Sequence, residues 1–385
     1  MTKTITLKPT KERSAKRFHP WIFSGAISRA PNDLQDGDIV KVVSADDEVL
    51  GYGFFGSSSI SVKLCSFGDQ PLTPSLWHER ISSAFKLRSA LNLAGSKETT
   101  MYRLVNAEGD YLPGLIIDVY GNAAVVHCHH AGYEAFEQEI LAALNKVAPF
   151  LDIIYWKNVG GESEGGKYIK GSKPEKHIAL ENGNSFAIDW ESGQKTGFFI
   201  DQRGNRKLIG ELSKNRKVLN AFSYSGGFSI YSLKNGATLV DSVDSSEKAT
   251  QLCNENIELN KLTNHKAIKA DCLTYLRDIE GKYDLIVLDP PAFAKHKNAV
   301  DGALSGYRDI NRLAFKALPS GGILATFSCS QLVSKDMFQE SVFSAAAQVG
   351  KSVQIIYRLS QSEDHPVSIY HREGEYLKGL VLRVI

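Results

Sequence analysis

The feature that most limits the fold of this chain is a run of Val/Ile/Leu-rich segments alternating with amphipathic ones, from Lys217 to the last residue. KVLNAF, LVDSVD, HKAIKA, YDLIVLD and ILATFS are short, almost continuously apolar and bounded by polar turns. Between them, stretches such as TQLCNENIELN and DINRLAFKAL repeat apolar residues at helical spacing. Strands that are apolar on both faces need cover on both faces, so this order predicts a mostly parallel sheet with helices on either side. VQIIYRL is followed shortly by LKGLVLRVI, which reads as a hairpin adding antiparallel strands at one edge.

Upstream the texture differs. In residues 1–72 the runs DIVKVV, VLGYGFF and ISVKLC are short, rich in Val and aromatics, and separated by Asp, Gly and Ser clusters, which predicts a compact β-barrel. The prolines of PLTPS place a boundary near residue 73, before the helical spacing of LWHERISSAFKLRSALNL. From Met101 the pattern returns to strands. YLPGLIIDVYG and AAVVHCHH form an expected hairpin around Tyr120, Gly121 and Asn122, then come the helix YEAFEQEILAALNKV and the strand LDIIYWK. Residues 158–174, rich in Gly, Ser and Lys, read as a long loop. Single cores seldom grow past about 250–300 residues, and the expected division is 1–72 as a β unit, 73–180 as a small α+β domain and 181–385 as an α/β domain.

Charge and cysteine usage narrow the function classes. Net charge is only +2, but residues 1–20 hold Lys3, Lys8, Lys11, Arg13, Lys16 and Arg17 against Glu12 alone. Such a basic arm can neutralise several phosphates; a solvated arm without a ligand is the other reading. The five cysteines are scattered without a CxxC pair, which argues against a disulfide framework or structural zinc and for reduced thiols in the cytoplasm. No stretch approaches the roughly 18–20 apolar residues of a membrane helix, so no membrane association is expected. His127 and His129 share one strand face and His130 takes the other, so no metal site is expected there.

In an open α/β sheet, ligands bind beyond the carboxyl ends of the strands at the point where the strand order reverses. Four turns fall at such ends. KVLNAF runs into Phe222, Ser223, Tyr224, Ser225, Gly226 and Gly227, where glycines permit a tight turn and close approach of a ligand. The full GxGxxG fingerprint is absent, so a cofactor without pyrophosphate is favoured. LVDSVD ends in Asp244 and Ser245, where a carboxylate can accept from both ribose hydroxyls. Asp271 and Cys272 follow the next strand, and Asp271 can reach an adenine amine or cap the following helix. YDLIVLD ends in Asp289, Pro290 and Pro291.

The ordered set NAFSYSGGF, VDSS, ADC, LDPPAF and FSCS resembles the class I S-adenosylmethionine-dependent methyltransferases. More narrowly, with RFHPWIFSGAI, GDIVKV, QKTGFFIDQRGNR, GYRDIN, DHPV and YLKGL, the whole chain is similar to the PUA-domain-containing family that methylates carbon 5 of cytosine in large-subunit (23S) ribosomal RNA. The resemblance implies a PUA domain, a small α+β middle domain and a Rossmann-like catalytic domain. It also implies S-adenosylmethionine as cofactor and ribosomal RNA as partner; self-association into a homodimer stays open.

Carbon 5 of cytosine is a poor nucleophile, and a thiolate adding to carbon 6 makes it one. Cys329, in the family's SCS motif after the strand ILATF, is the expected nucleophile, and Asp289 the expected partner of the cytosine edge, favouring protonation at ring nitrogen 3. Pro290 and Pro291 stiffen the turn and Phe293 can stack on the base. The second cysteine of the two-cysteine RNA cytosine methyltransferases is missing here, where Pro290 and Pro291 stand, so the base that removes the carbon-5 proton is unassigned. Lys195, Gln202 and Arg203 border cofactor or RNA in this reading, and Arg308 binds a phosphate, with surface salt bridging the competing role of both arginines. His19, Pro20 and Trp21 are expected in a buried turn. Two other functions fit part of the pattern: methylation of an exocyclic amine, which DPPAF also suits and which needs no thiol, and RNA binding without turnover.

Overall fold

The computed structural model describes residues 2–158, 165–294 and 296–385. The chain forms two compact units: Met1–Leu180 with Ile188–Phe198 and Glu363–Gly374, and Glu181–Ala187 with Phe199–Ser362 and Glu375–Ile385.

The first unit opens with a six-stranded sheet of β1 (Lys3–Leu7), β2 (Trp21–Phe23), β3 (Ile27–Arg29), β4 (Ile39–Val43), β5 (Val49–Phe55) and β6 (Ile60–Phe67), in the order β2-β6-β5-β4-β1-β3. Ile5 and Leu7 alternate inward to meet Val40, Val42, Leu50, Val62 and Leu64. That alternation corrects the expectation of a basic arm over residues 1–20 in its first part: Lys3–Leu7 are a sheet strand, parallel to β4. Lys3 pairs with Asp38 at 2.8 Å and Lys16 with Glu48 at 2.6 Å, while Lys8 Nζ donates to the Gly25 carbonyl at 2.9 Å. Lys11, Arg13 and Arg17 are exposed. Of the expected buried turn only Pro20 is buried; His19 is half-buried, and Trp21 is half-buried at the start of β2, its indole donating to Glu108 at 2.8 Å.

A five-stranded sheet follows: β7 (Met101–Asn106), β8 (Leu115–Tyr120), β9 (Ala123–Cys128), β10 (Ile153–Asn158) and β11 (Gly166–Lys170), in the order β11-β10-β9-β8-β7. Tyr120 pairs with Ala123 across the expected hairpin, and helix Glu137–Val147 carries the chain to β10, parallel to β9. The stretch 158–174 is not all loop, because Gly166–Lys170 pairs antiparallel with β10; residues 159–164 lie outside the described residues. The β-unit and middle segments share a core: Phe54 of β5 stacks on Trp77 at 6.2 Å and meets Tyr133 at 5.0 Å. Buried ion pairs bring later segments into this unit. Arg88 holds Asp110 and the Asp364 carbonyl, the Arg103 guanidinium holds Asp118 while its backbone N–H donates to the Asp364 carboxylate, and Thr196 donates to Asp118 at 2.6 Å.

After β12 (Ile178–Glu181) and β13 (Asn184–Ala187), the second unit is built on a seven-stranded sheet. Its strands are β14 (Lys217–Ala221), β15 (Leu239–Asp244), β16 (His265–Lys269), β17 (Leu285–Leu288), β18 (Ile323–Ser328), β19 (Val353–Leu359) and β20 (Lys378–Val384), in the order β16-β15-β14-β17-β18-β20-β19. The first five run parallel and β20 is antiparallel to both neighbours, as the apolar pattern predicts. The edge pair is joined by residues 360–377 rather than by a tight turn. The chain moves outward from β14 to β16, then returns to β17, so the order reverses between β14 and β17.

Packed against Gly227 after β14, the Arg206 guanidinium grips Glu181 at 2.7 and 2.6 Å and donates to the Phe199 carbonyl at 2.9 Å. Both side chains are buried. Arg206→Met leaves Glu181 buried without its cation and is expected to cost about 3–5 kcal/mol, read as an earlier transition in urea denaturation followed by far-UV circular dichroism. A loss below about 1 kcal/mol, the scale of an exposed pair, would show that water compensates Glu181.

Candidate active site

Cys329 is the first residue beyond β18, and its two neighbours are fixed by one hydroxyl. Ser328 and Ser330 are fully buried. Tyr307, from helix Val300–Ala317, accepts from Ser328 Oγ at 2.9 Å and lies 2.9 Å from Ser330 Oγ. The Ala294 N–H donates to the same Ser330 hydroxyl at 3.2 Å, which ties the DPPAF turn to the FSCS turn. Cys329 Sγ lies 3.9 Å from the Pro290 carbonyl oxygen. Of the five free cysteines, Cys329 is half-buried and the other four are buried. Burial pushes the Cys65 and Cys272 thiols up to about 12 and Cys253 up to about 11, which suppresses their thiolates.

Asp289 is oriented from the helix side. Gln202 Nε2 donates to its Oδ1 at 3.0 Å, and Asn205 Nδ2 fixes the Gln202 amide by donating to its oxygen at 2.6 Å. Pro290 is buried and Pro291 exposed. The Phe293 ring packs on Tyr307 with centroids 4.7 Å apart. Arg203 is buried, which removes the surface-bridge role considered for it, and Arg308 is half-buried. Lys195 belongs to the first unit, where it is exposed and its carbonyl accepts from Lys157.

The loop after β14 turns through left-handed backbone at Phe222, Tyr224 and Gly226. At Gly226, φ is +76° and an added Cβ would sit 2.5 Å from Cys253 Sγ, so glycine is required. Asp244 braces the loop by accepting from the Tyr224 and Ser246 N–H groups, both at 2.9 Å. Ser223 Oγ is buried and makes no hydrogen bond, while Ser225 is buried and Ser245 exposed. A buried hydroxyl without a partner, beside a strand-end carboxylate, fits a ligand bearing amino and hydroxyl groups. Asp271 is the helix cap: its Oδ1 accepts from Thr274 N at 2.8 Å, and these backbone bonds hold its carboxyl below the usual range. It remains exposed. The Cys272 thiol points into the core, accepting from Phe222 N at 3.3 Å and donating to the Val243 carbonyl at 3.5 Å, so only its backbone is left to face a ligand.

Two side chains at this sheet edge escaped the sequence reading. Tyr307 sits beside Arg308 in GYRDIN, where the helical spacing of Ala303, Tyr307, Ile310 and Ala314 marks it as an ordinary core aromatic. Lys378 in YLKGL is buried, its ammonium donating to the Ser330 carbonyl at 2.6 Å and the Val333 carbonyl at 2.7 Å. The signal available was a lysine interrupting an apolar strand. The histidines behave as the strand alternation predicts: His127 and His129 rings meet at 4.2 Å, and His130 stacks on Phe54.

A seven-stranded sheet with this order, a glycine loop after its first strand and acidic strand ends define a nucleotide-type cofactor enzyme. Residues 158–377 match the S-adenosylmethionine-dependent methyltransferase family and residues 5–67 a PUA-like domain. The chain therefore belongs to the S-adenosylmethionine-dependent methyltransferases that carry a PUA-like domain. It is 39% identical, over the full length of both chains, to ribosomal RNA large subunit methyltransferase I of Tolumonas auensis, and 39% identical over both full lengths to that of Aeromonas salmonicida. The crystal structure of SMU.776 complexed with SAH superposes with a TM-score of 0.87 at 26% identity, covering all of both chains.

Tyr307→Phe removes the hydroxyl shared by Ser328 and Ser330 and leaves buried polar atoms short of a partner. The expected cost is about 1–3 kcal/mol in urea denaturation, with faster amide exchange in residues 329–333. Unchanged exchange there would mean that the two serines re-pair without the phenol.

Proposed function

We propose that this methyltransferase acts on large-subunit ribosomal RNA and forms 5-methylcytosine through a covalent bond between Cys329 and the base. The observation that carries the reading is the half-buried Cys329 sulfur beside the Pro290 carbonyl, one residue from Asp289 and at the carboxyl edge of the sheet. The sequence likeness to the ribosomal RNA enzymes supports the substrate class. Five free thiols suit a reducing cytoplasm.

Asp244 holds the ribose of the cofactor, and the Ser223–Gly227 loop lies against its amino acid moiety, where Ser223 Oγ gains a partner. When bound, S-adenosylmethionine supplies an electrophilic methyl group. Gln202 keeps Asp289 aimed, so its carboxylate meets the cytosine edge and stabilises protonated ring nitrogen 3 as the base is attacked. Cys329 sulfur forms a bond to carbon 6, and the electron pair released into the ring makes carbon 5 nucleophilic. After carbon 5 is methylated, solvent water takes its proton, the carbon–hydrogen electron pair re-forms the carbon 5–carbon 6 double bond and the carbon–sulfur pair leaves with sulfur, regenerating the thiolate. The exposed Lys11, Arg13 and Arg17 of the PUA-like unit meet RNA phosphates, since Lys3 and Lys16 are already ion-paired.

Three outcomes follow. Asp244→Asn is expected to weaken S-adenosylmethionine binding by about 1.5–3 kcal/mol in calorimetry, the scale of a hydrogen bond to a charged group; an unchanged affinity in the folded variant removes Asp244 from the ribose. Mass spectrometry of nucleosides from treated ribosomal RNA should show 5-methylcytidine with the wild type and none with Cys329→Ala. An N-methylated nucleoside instead would favour exocyclic-amine chemistry at the DPPAF turn, and binding without any product would favour an assembly role. Replacing Lys11, Arg13 and Arg17 with Gln should lower RNA affinity and flatten its salt dependence, by roughly 0.7–0.9 in log–log slope per lost phosphate contact. An unaltered slope would assign RNA contact to another surface. These substitutions are preferable to deleting 1–72, because Phe54 belongs to the core shared with Trp77.

A further inference from the structure

Lys378 is a buried ammonium where packing alone calls for an apolar side chain. It is 6% exposed, Leu377 just before its strand is buried, and so are Leu380 and Leu382 on it. Taking an ammonium out of water costs several kcal/mol unless its hydrogen bonds are replaced. Here they are replaced by two carbonyls, those of Ser330 and Val333, which bracket the turn that leaves Cys329. Register brings it there, since Lys378 lies opposite Ser328 in the antiparallel β18–β20 pair, one residue before the cysteine.

We propose that Lys378 is a positioning residue for Cys329: it clamps the turn carrying the thiol and sets a positive charge near the sulfur, favouring the thiolate. The proposal rests on the reading of Cys329 as nucleophile and deepens it. Burial lowers the Lys378 ammonium to about 8, and attraction to Cys329 opposes that fall. The same attraction favours deprotonation of the thiol. The other charged or titratable groups around this edge do not duplicate the effect. Lys335 is ion-paired with Glu375, the Tyr307 hydroxyl is occupied by Ser328 and Ser330 and burial raises its pKa, and the Asp289 carboxyl on the neighbouring turn accepts from Gln202. A neutral side chain at 378 would leave the Ser330 and Val333 carbonyls without this cation beside the turn that follows Cys329.

The test follows alkylation of Cys329 by iodoacetamide against pH in full-length protein without RNA, read at the Cys329 peptide by mass spectrometry. Wild type should alkylate with a midpoint below the ordinary thiol value of about 8.5. Lys378→Met and Lys378→Gln should raise that midpoint by about one pH unit, a roughly tenfold slower reaction at pH 7, while Lys378→Arg restores much of the wild-type profile. A merely structural lysine would alter melting temperature and leave the midpoint where it was, and that result in either neutral variant overturns the proposal. Should both neutral variants unfold, the wild-type midpoint decides: one equal to that of the urea-unfolded chain overturns the proposal as well. Because no RNA or methyl transfer enters this measurement, it is separable from the product test, in which continued 5-methylcytidine formation by Cys329→Ala would end the nucleophile reading instead.

Discussion

The second unit's candidate site depends on a single phenolic oxygen. Tyr307 OH is the point where Ser328 and Ser330 meet, and through Ser330 it reaches the Ala294 N–H of the opposite turn. Two loops that follow different strands, β17 and β18, are thereby fastened to one another. A cysteine at a strand end is ordinarily free to swing with its loop. Here the residues on both sides are fully buried and bonded, so the thiol is held beside Pro290 while remaining half-exposed. Preorganisation of this kind lowers the cost of reaching a reactive geometry.

The sheet supplies the rest by topology. Because the strand order reverses between β14 and β17, the loop of Ser223–Gly227 and the turn of Asp289 are set at the carboxyl ends of adjacent parallel strands. Asp244 and Asp271 follow at the next two strand ends. Arg206 joins this arrangement through Phe199, since it bonds Glu181 and the Phe199 carbonyl, and the Phe199 ring meets Tyr224 of the loop edge-on at 5.3 Å. Gln202, three residues before Asn205 on the same entry segment, orients Asp289. The QKTGFFIDQRGNR stretch from Phe199 onward is thus a brace for two strand-end turns.

The strand and helix alternation of residues 217–385 was legible because parallel strands buried on both faces leave an unmistakable apolar run, and each run became a strand of the sheet. Cys329, Asp289 and Asp244 could be read from their places at strand ends. What could not be read was where long-range polar contacts go. Cys272 looked like a pocket residue by position, yet its thiol turns inward to the Val243 carbonyl. Of the basic residues near the N-terminus, Lys3 is drawn into β1 by the Ile5 and Leu7 alternation, while Lys11, Arg13 and Arg17 stay exposed beyond it. Tyr307 was hidden by helical spacing that any core aromatic shares, and Lys378 by a strand whose other residues are apolar. In each case the deciding partner lies tens of residues away in sequence, which local pattern does not encode.

The most direct measurement of the central claim uses RNA carrying 5-fluorocytosine at the target. Fluorine cannot leave as a proton, so a base joined to Cys329 cannot be released after methyl transfer. The wild-type protein should then form a denaturant-resistant complex that requires S-adenosylmethionine, with the RNA attached at the Cys329 peptide. Absence of such a complex from a preparation that methylates unmodified RNA, or its persistence in Cys329→Ala, would contradict the account.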